Sequence, residues 1–195
     1  MVLNRGFHIL ALALALLTLN LPALAVAAED VIDPDTYRIN RGDVIGISVW
    51  REDALQSPEI LVRPDGYISF PLVGNLLVAG KSVPEVTTEI STGLEKFIPD
   101  PVVHVTVRAL SGNMVYVLGK VARPGVFPMN SQVDVVQALA MAGGMTPYAA
   151  ANKVRILRRE AGGQVAIPFA YGDIEKGEKL GQNILLQAGD VVLVP

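Results

Sequence analysis

The stretch VVHVTVRALSGNMVYVLGKV, residues 102–121, contains a strand, a break and a second strand. Val103, Val105 and Val107 alternate with His104, Thr106 and Arg108, the period-two pattern of a strand buried on one face. Ser111-Gly112-Asn113 interrupts this with turn residues. Residues 114–121 then resume as an extended apolar run. The break divides the chain into a first domain over residues 26–110 and a second over residues 111–195.

Upstream of the break, Arg41-Gly42-Asp43 is a turn that launches VIGISVW, residues 44–50. Gly46 breaks the alternation there, which predicts a strand with a bulge or a close backbone approach. Leu61-Val62 starts a second extended piece, and Pro64-Asp65-Gly66 between extended runs predicts a hairpin turn. YISFPLVG, residues 67–74, reads as a strand with Ile68, Phe70 and Leu72 on one face, placed near an edge or strand end by Pro71. Ser82-x-x-Glu85 is a capping box with Pro84 tolerated in the first turn. Val83, Val86, Ile90, Leu94 and Phe97 recur at helical spacing, predicting about 15 helical residues ending near Pro99.

Downstream, Arg123-Pro124-Gly125 is a turn, and residues 126–128 return as a short extended piece. Ser131-x-x-Asp134 caps a second helix whose buried stripe is Val135, Val136, Leu139 and Ala140. Gly143-Gly144 stops it. VRIL at 154–157 and VAIPF at 165–169 flank Arg158-Arg159 and the turn Ala161-Gly162-Gly163. Ala188-Gly189-Asp190 leads into the last strand, VVLV at 191–194. Gly42-Asp43-Val44-Ile45 is echoed by Gly189-Asp190-Val191-Val192, which we read as repeated turn chemistry. The class is α+β: strands, a hairpin and one helix, followed by a mixed sheet wrapped on one helix.

The first 25 residues follow a different logic. Arg5 precedes an apolar run over residues 7–19, then Pro22, and small residues at Ala23 and Ala25 or Ala25 and Ala27 offer cleavage sites. This is the three-part pattern of a secretory signal, too short for a membrane span of about 20 residues. Without it, 15 Lys and Arg stand against 19 Asp and Glu, a net charge of −4. An acidic chain with scattered basic residues does not fit a nucleic-acid binder. Zero cysteines exclude disulfides, thiol nucleophiles, Cys-bound zinc and an N-terminal lipidated cysteine.

Catalysis is poorly equipped. His104 is the one histidine beyond the signal, and its place on the polar face of a strand fits a solvated or interfacial side chain better than a triad or metal site. Asp43, Asp65 and Asp190 each sit in a glycine turn, where an aspartate bonds its own backbone. No catalytic residue, metal site or cofactor is predicted. Gly42, Asp43, Pro64, Gly66, Gly119, Pro124, Gly125, Gly143, Gly144, Gly189 and Asp190 are structural turn positions. Arg63 and Asp65, Arg123, and the basic group Lys153, Arg155, Arg158 and Arg159 are the candidate contacts, to an acidic sugar or other anionic polymer, lipid headgroups or a neighbouring subunit, where they are not simply solvated.

YRINRGDVIGISVWRED (37–53), LVRPDGYISFPLVG (61–74), VAG (78–80) and FIPDPVVHVTV (97–107) resemble the polysaccharide biosynthesis/export domain of outer-membrane polysaccharide exporters. VYVLGKVARPGVFPM (115–129), ALAMAGGMTPYAAANKVRILRR (138–159) and NILLQAGDVVLVP (183–195) resemble the soluble-ligand-binding β-grasp domain that follows it. WREDALQ at 50–56 makes the chain look most like the short exporters of exosortase-associated exopolysaccharide systems. The resemblance implies a periplasmic protein, forming rings, that moves capsular or extracellular polysaccharide outward. The implied partners are the exported polysaccharide, an inner-membrane polysaccharide co-polymerase and further copies of the chain. Two departures stand out: no lipid-modified cysteine, and a chain that stops at Pro195 directly after its last strand. The expectation is a periplasmic collar or adaptor working with a separate outer-membrane protein. Two alternatives stay open, a glycan lyase or hydrolase and a small-ligand-binding or structural β-grasp module.

Overall fold

The computed structural model describes residues 37–195, and the signal expected over residues 1–25 lies outside them. Strand β1 (Val44–Val49) leaves the Gly42-Asp43 turn with Ile45, Ile47 and Val49 pointed inward. It is the centre of an antiparallel three-stranded sheet, between β2 (Ser57–Leu61) and a strand at Val103–Ala109. A separate hairpin pairs β3 (Tyr67–Phe70) with β4 (Gly74–Leu77). Helix α1 (Val83–Leu94) follows, and the strand at Val103–Ala109 is β5.

Ile45, Ile47 and Val49 meet Ile68 and Phe70 of β3 and Val86, Ile90 and Leu94 of α1 in one apolar cluster. Each such fully buried side chain is worth roughly 1.5–3 kcal/mol relative to exposure. The capping box forms as read: Glu85 N–H donates to Ser82 Oγ at 3.4 Å, and Ser82 N–H donates to Glu85 Oε2 at 2.6 Å.

Four expectations in this half need correction. Residues 63–66 do form a turn, with Gly66 N–H bonding Arg63 O at 2.8 Å, but β2 and β3 belong to different sheets. The turn carries the chain between sheets, and the hairpin lies one strand later. Leu72 sits in the left-handed region (φ 64°) at the tip of that hairpin and faces solvent. The second strand starts at Ser57, ahead of Leu61, because an edge strand tolerates Pro58. Phe97 is exposed, since the N–H groups of Phe97 and Ile98 both fold back on Leu94 O and end the helical repeat at Leu94. Ile98 packs against the core in its place.

The second half contains β6 (Met114–Gly119), β7 (Gly125–Pro128), α2 (Val135–Met141), β8 (Val154–Glu160), β9 (Gly163–Phe169), α3 (Tyr171–Glu175) and β10 (Val191–Val194). The sheet order is β7-β6-β10-β8-β9, with β10 parallel to β6 and every other pair antiparallel. Val115, Val117, Val154, Ile156, Val192 and Val194 face α2. The α2 cap belongs to Asp134 with Gln137, whose side chains bond each other's backbone N–H at 2.8 and 2.9 Å; Ser131 plays no part in it. Ala138 takes the buried position expected of Ala140, because the stripe runs Val135, Ala138, Leu139, Ala142. Gly143 and Gly144, both with positive φ, end the helix. Gly119 ends β6 at φ 97°, where a Cβ would lie 1.9 Å from Val194 O. Only glycine lets β6 close on β10 there. Among the described residues, no helix is long and apolar enough to cross a membrane.

Candidate functional site

Two aspartates hold the turns that launch β1 and β10. Asp43 is fully buried, and its carboxylate accepts Asn40 N–H at 2.7 Å, Gly112 N–H at 2.9 Å and the Tyr37 hydroxyl. Burial and that donation to Asp43 push the Tyr37 phenol well above its ordinary range, so it stays protonated. Asp190 repeats the geometry. Gln187 N–H, three residues back, donates to its carboxylate at 2.8 Å, as Asn40 does to Asp43. The glycines before them have φ 90° and 88°. The echo in sequence is thus one turn built twice.

Asp190 also receives Arg158, with Nη2 at 2.6 Å and Nε at 3.1 Å, and Arg158 Nη2 reaches Leu185 O at 3.0 Å. The hydrogen bond to Asp190 raises the Arg158 pKa further and locks in its charge. Asp43 and Asp190 are therefore committed to the chain's own donors.

The structure sorts the remaining candidate residues by what already holds them. Arg63 pairs with Asp65 and bonds Asn75 Oδ1 at 3.2 Å, while Tyr67 N–H donates to Asp65 Oδ1 at 3.1 Å. The guanidinium beside it holds the Asp65 carboxyl below the usual carboxylate range. Pro64 and Gly66 (φ 88°) shape this exposed turn. Arg123 Nη2 donates to Met141 O at 3.1 Å at the end of α2, and Pro124 and Gly125 turn the chain into β7. The basic group does not stay together. Alternation along β8 sends Arg158 inward to Asp190 and leaves Arg155 and Arg159 on the outer face, with Lys153 exposed just before the strand.

That outer face is the candidate site. Strand register sets Val126, Tyr116, Val191, Leu157 and Ala166 in one row across five strands, with Leu118, Leu193, Arg155 and Pro168 beside it. Tyr116, Leu118, Val126 and Leu193 are all more than a third exposed. An open cleft of about 800 Å³ crosses this face, walled by Tyr116, Leu157, Arg159, Glu160 and Gln164, with Arg41 entering from the turn before β1. An apolar floor, an aromatic ring, two guanidiniums, a carboxylate and an amide suit a ligand with apolar faces and many hydroxyls. Of the candidates read from sequence, Arg159 lies in this cleft. Tyr116, Arg41 and Gln164 were missed. The outward phase of Tyr116 was legible between Val115 and Val117, whereas Arg41 arrives through a tertiary contact. Among the described residues, no group of three or more His, Asp or Glu is placed to hold a metal ion.

The family "Polysaccharide biosynthesis/export protein" matches residues 32–108, and "SLBB domain" matches residues 114–169. The EPS I polysaccharide export outer membrane protein EpsA of Ralstonia nicotianae is 32% identical over 182 residues, 81% of this chain and 47% of the relative. The capsule polysaccharide export outer membrane protein CtrA of Neisseria meningitidis serogroup A is 31% identical over 179 residues, 80% of this chain and 44% of the relative. The capsule polysaccharide export protein BexD of Haemophilus influenzae is 29% identical, over 79% and 42%. The chain spans about half the length of these relatives. Matched in order by both domains, and similar to exporters from three genera, the chain belongs to the polysaccharide export protein family.

Proposed function

We propose that this protein is a non-enzymatic periplasmic component of polysaccharide export across the outer membrane, acting as an oligomeric collar or adaptor. Residues 26–110 form its export domain and residues 111–195 its β-grasp domain. Its partners are the exported polysaccharide, an inner-membrane polysaccharide co-polymerase, a separate outer-membrane protein and further copies of itself. The observation that carries this reading is the ordered match to both domains of export proteins.

The Tyr116 cleft supplies a surface for a glycan. A pyranose ring presents apolar C–H faces to the tyrosine, and its hydroxyls find Gln164, Glu160 and the two arginines. The exposed Val126, Leu118 and Leu193, which lie outside the cleft, form an apolar surface that assembly would cover. Deletion of the gene tests the export role. Loss of secreted polysaccharide with polymer trapped in the periplasm is the expected result. Intact secretion with altered polymer length would replace export by glycan processing. Intact secretion of normal polymer would favour a ligand-binding module.

A further inference from the structure

The outer face of the three-stranded sheet carries a second pocket, of about 180 Å³, lined by Ser48, Ser57, His104, Thr106 and Arg108 over Gly46. Two irregular pairings build it. On β5, residues 107 and 109 oppose the adjacent Ile45 and Val44, so Arg108 is an extra residue without a partner on β1. On β2, Ser57 and Ile60 oppose Ile47 and Ile45, so Pro58 and Glu59 share the place opposite Gly46. Extra residues of this kind re-aim side chains and recur beside functional sites.

Gly46 makes the room. A Cβ there would lie 2.9 Å from Arg108 Nε, 2.9 Å from Pro58 O and 3.1 Å from Thr106 Oγ1. The guanidinium thus lies across a floor that any side chain would fill. No carboxylate lines the pocket, and among the described residues none lies within ion-pair distance of Arg108. An arginine that shares a pocket with hydroxyls and is left without an acid invites one from a ligand.

We propose that this pocket binds the carboxylate-bearing sugar of an acidic polysaccharide, a uronic acid unit; the inference rests on the export reading above. The Arg108 fork takes the carboxylate in two parallel hydrogen bonds. Ser48, Ser57 and His104 both donate and accept, Thr106, whose hydroxyl donates to Gly46 O at 3.5 Å, keeps its acceptor side, and Pro58 O only accepts, which suits ring hydroxyls. Inorganic phosphate carries the same charge chemistry but presents chiefly acceptors, and would face the Pro58 carbonyl.

The test is an NMR titration of the full chain with D-glucuronate, D-glucose and inorganic phosphate. Glucuronate is expected to shift the amides of Gly46, Ser48 and residues 104–108, and glucose to leave them unmoved. Arg108→Gln should weaken glucuronate at least tenfold, and Thr106→Val a few-fold. Shifts by phosphate as strong as those by glucuronate would overturn the sugar assignment. Glucuronate shifts confined to the Tyr116 cleft, or unaffected by Arg108→Gln, would overturn the pocket. Either failure leaves the export reading standing if gene deletion still traps polymer in the periplasm. If deletion instead leaves secretion intact while glucuronate binds at Arg108, the export reading alone fails.

Discussion

The carboxylate of Asp43 accepts the backbone N–H of Gly112 at 2.9 Å, across 69 residues of sequence. The turn before the first strand and the turn between the two apolar clusters are thereby joined at a buried acid. They are also in direct contact, since a Cβ on Gly112 would fall 2.1 Å from Arg41 O. The same joint brings Arg41 to the edge of the Tyr116 cleft.

Asp43→Ala should therefore destabilise the fold by about 3 kcal/mol, because three half-buried donors lose their buried acceptor at once. Asp43→Asn keeps one acceptor oxygen and should lose less. Urea unfolding of the three proteins measures both. Equal stability of wild type and the alanine variant would show that this joint contributes nothing.

Arg158→Met should destabilise by about 3–5 kcal/mol, since Asp190 is 1% exposed and would be left as a buried carboxylate without its cation. Arg158→Met combined with Asp190→Asn should recover part of that loss. A double-mutant cycle by denaturant unfolding reads the coupling, and strict additivity would refute it.

Acid should loosen the exposed caps and turns. Backbone hydrogen bonding from Ser82 is the main reason Glu85 lies below the ordinary carboxylate range, and Lys179 does the same for Asp173. A lowered folded pKa means the stabilisation is present above the unfolded value, about 4.3 for glutamate, and is lost as pH falls through the folded one. The urea midpoint is expected to drop below about pH 4. Glu85→Gln should make that drop shallower while preserving α1, as followed by far-UV circular dichroism.

Tyr116→Ala with Arg159→Gln should lower secreted polysaccharide when the variant replaces the wild-type gene, with little change in unfolding midpoint. Both side chains face the cleft and neither supports the core. Arg63→Gln, which breaks an exposed local pair, should secrete normally. The reverse ranking would move the contact surface to the Arg63 turn.

Local patterns carried much of this molecule. Alternation at 103–107 and the apolar run at 114–121 marked two strands, Ser82 with Glu85 marked a helix start, and Gly-Asp marked the same turn twice, because each depends on residues near in sequence. Where two local signals competed, the reading slipped. Asp65-Gly66 promised a hairpin that formed instead at residues 71–73, since a turn motif does not say which strands pair across it.

By itself the sequence determined the α+β class, the two-part order and the family likeness, all consequences of periodicity, punctuation and motif order. Tertiary structure alone decided the sites. Arg158 and Arg159 are neighbours in the chain, yet strand alternation buries one against Asp190 and opens the other to the cleft. Arg108 became a candidate because an extra residue on β5 and a missing side chain at Gly46 turn it across the sheet. Register and close approach are set by strands distant in sequence, so neither could be read from residue order.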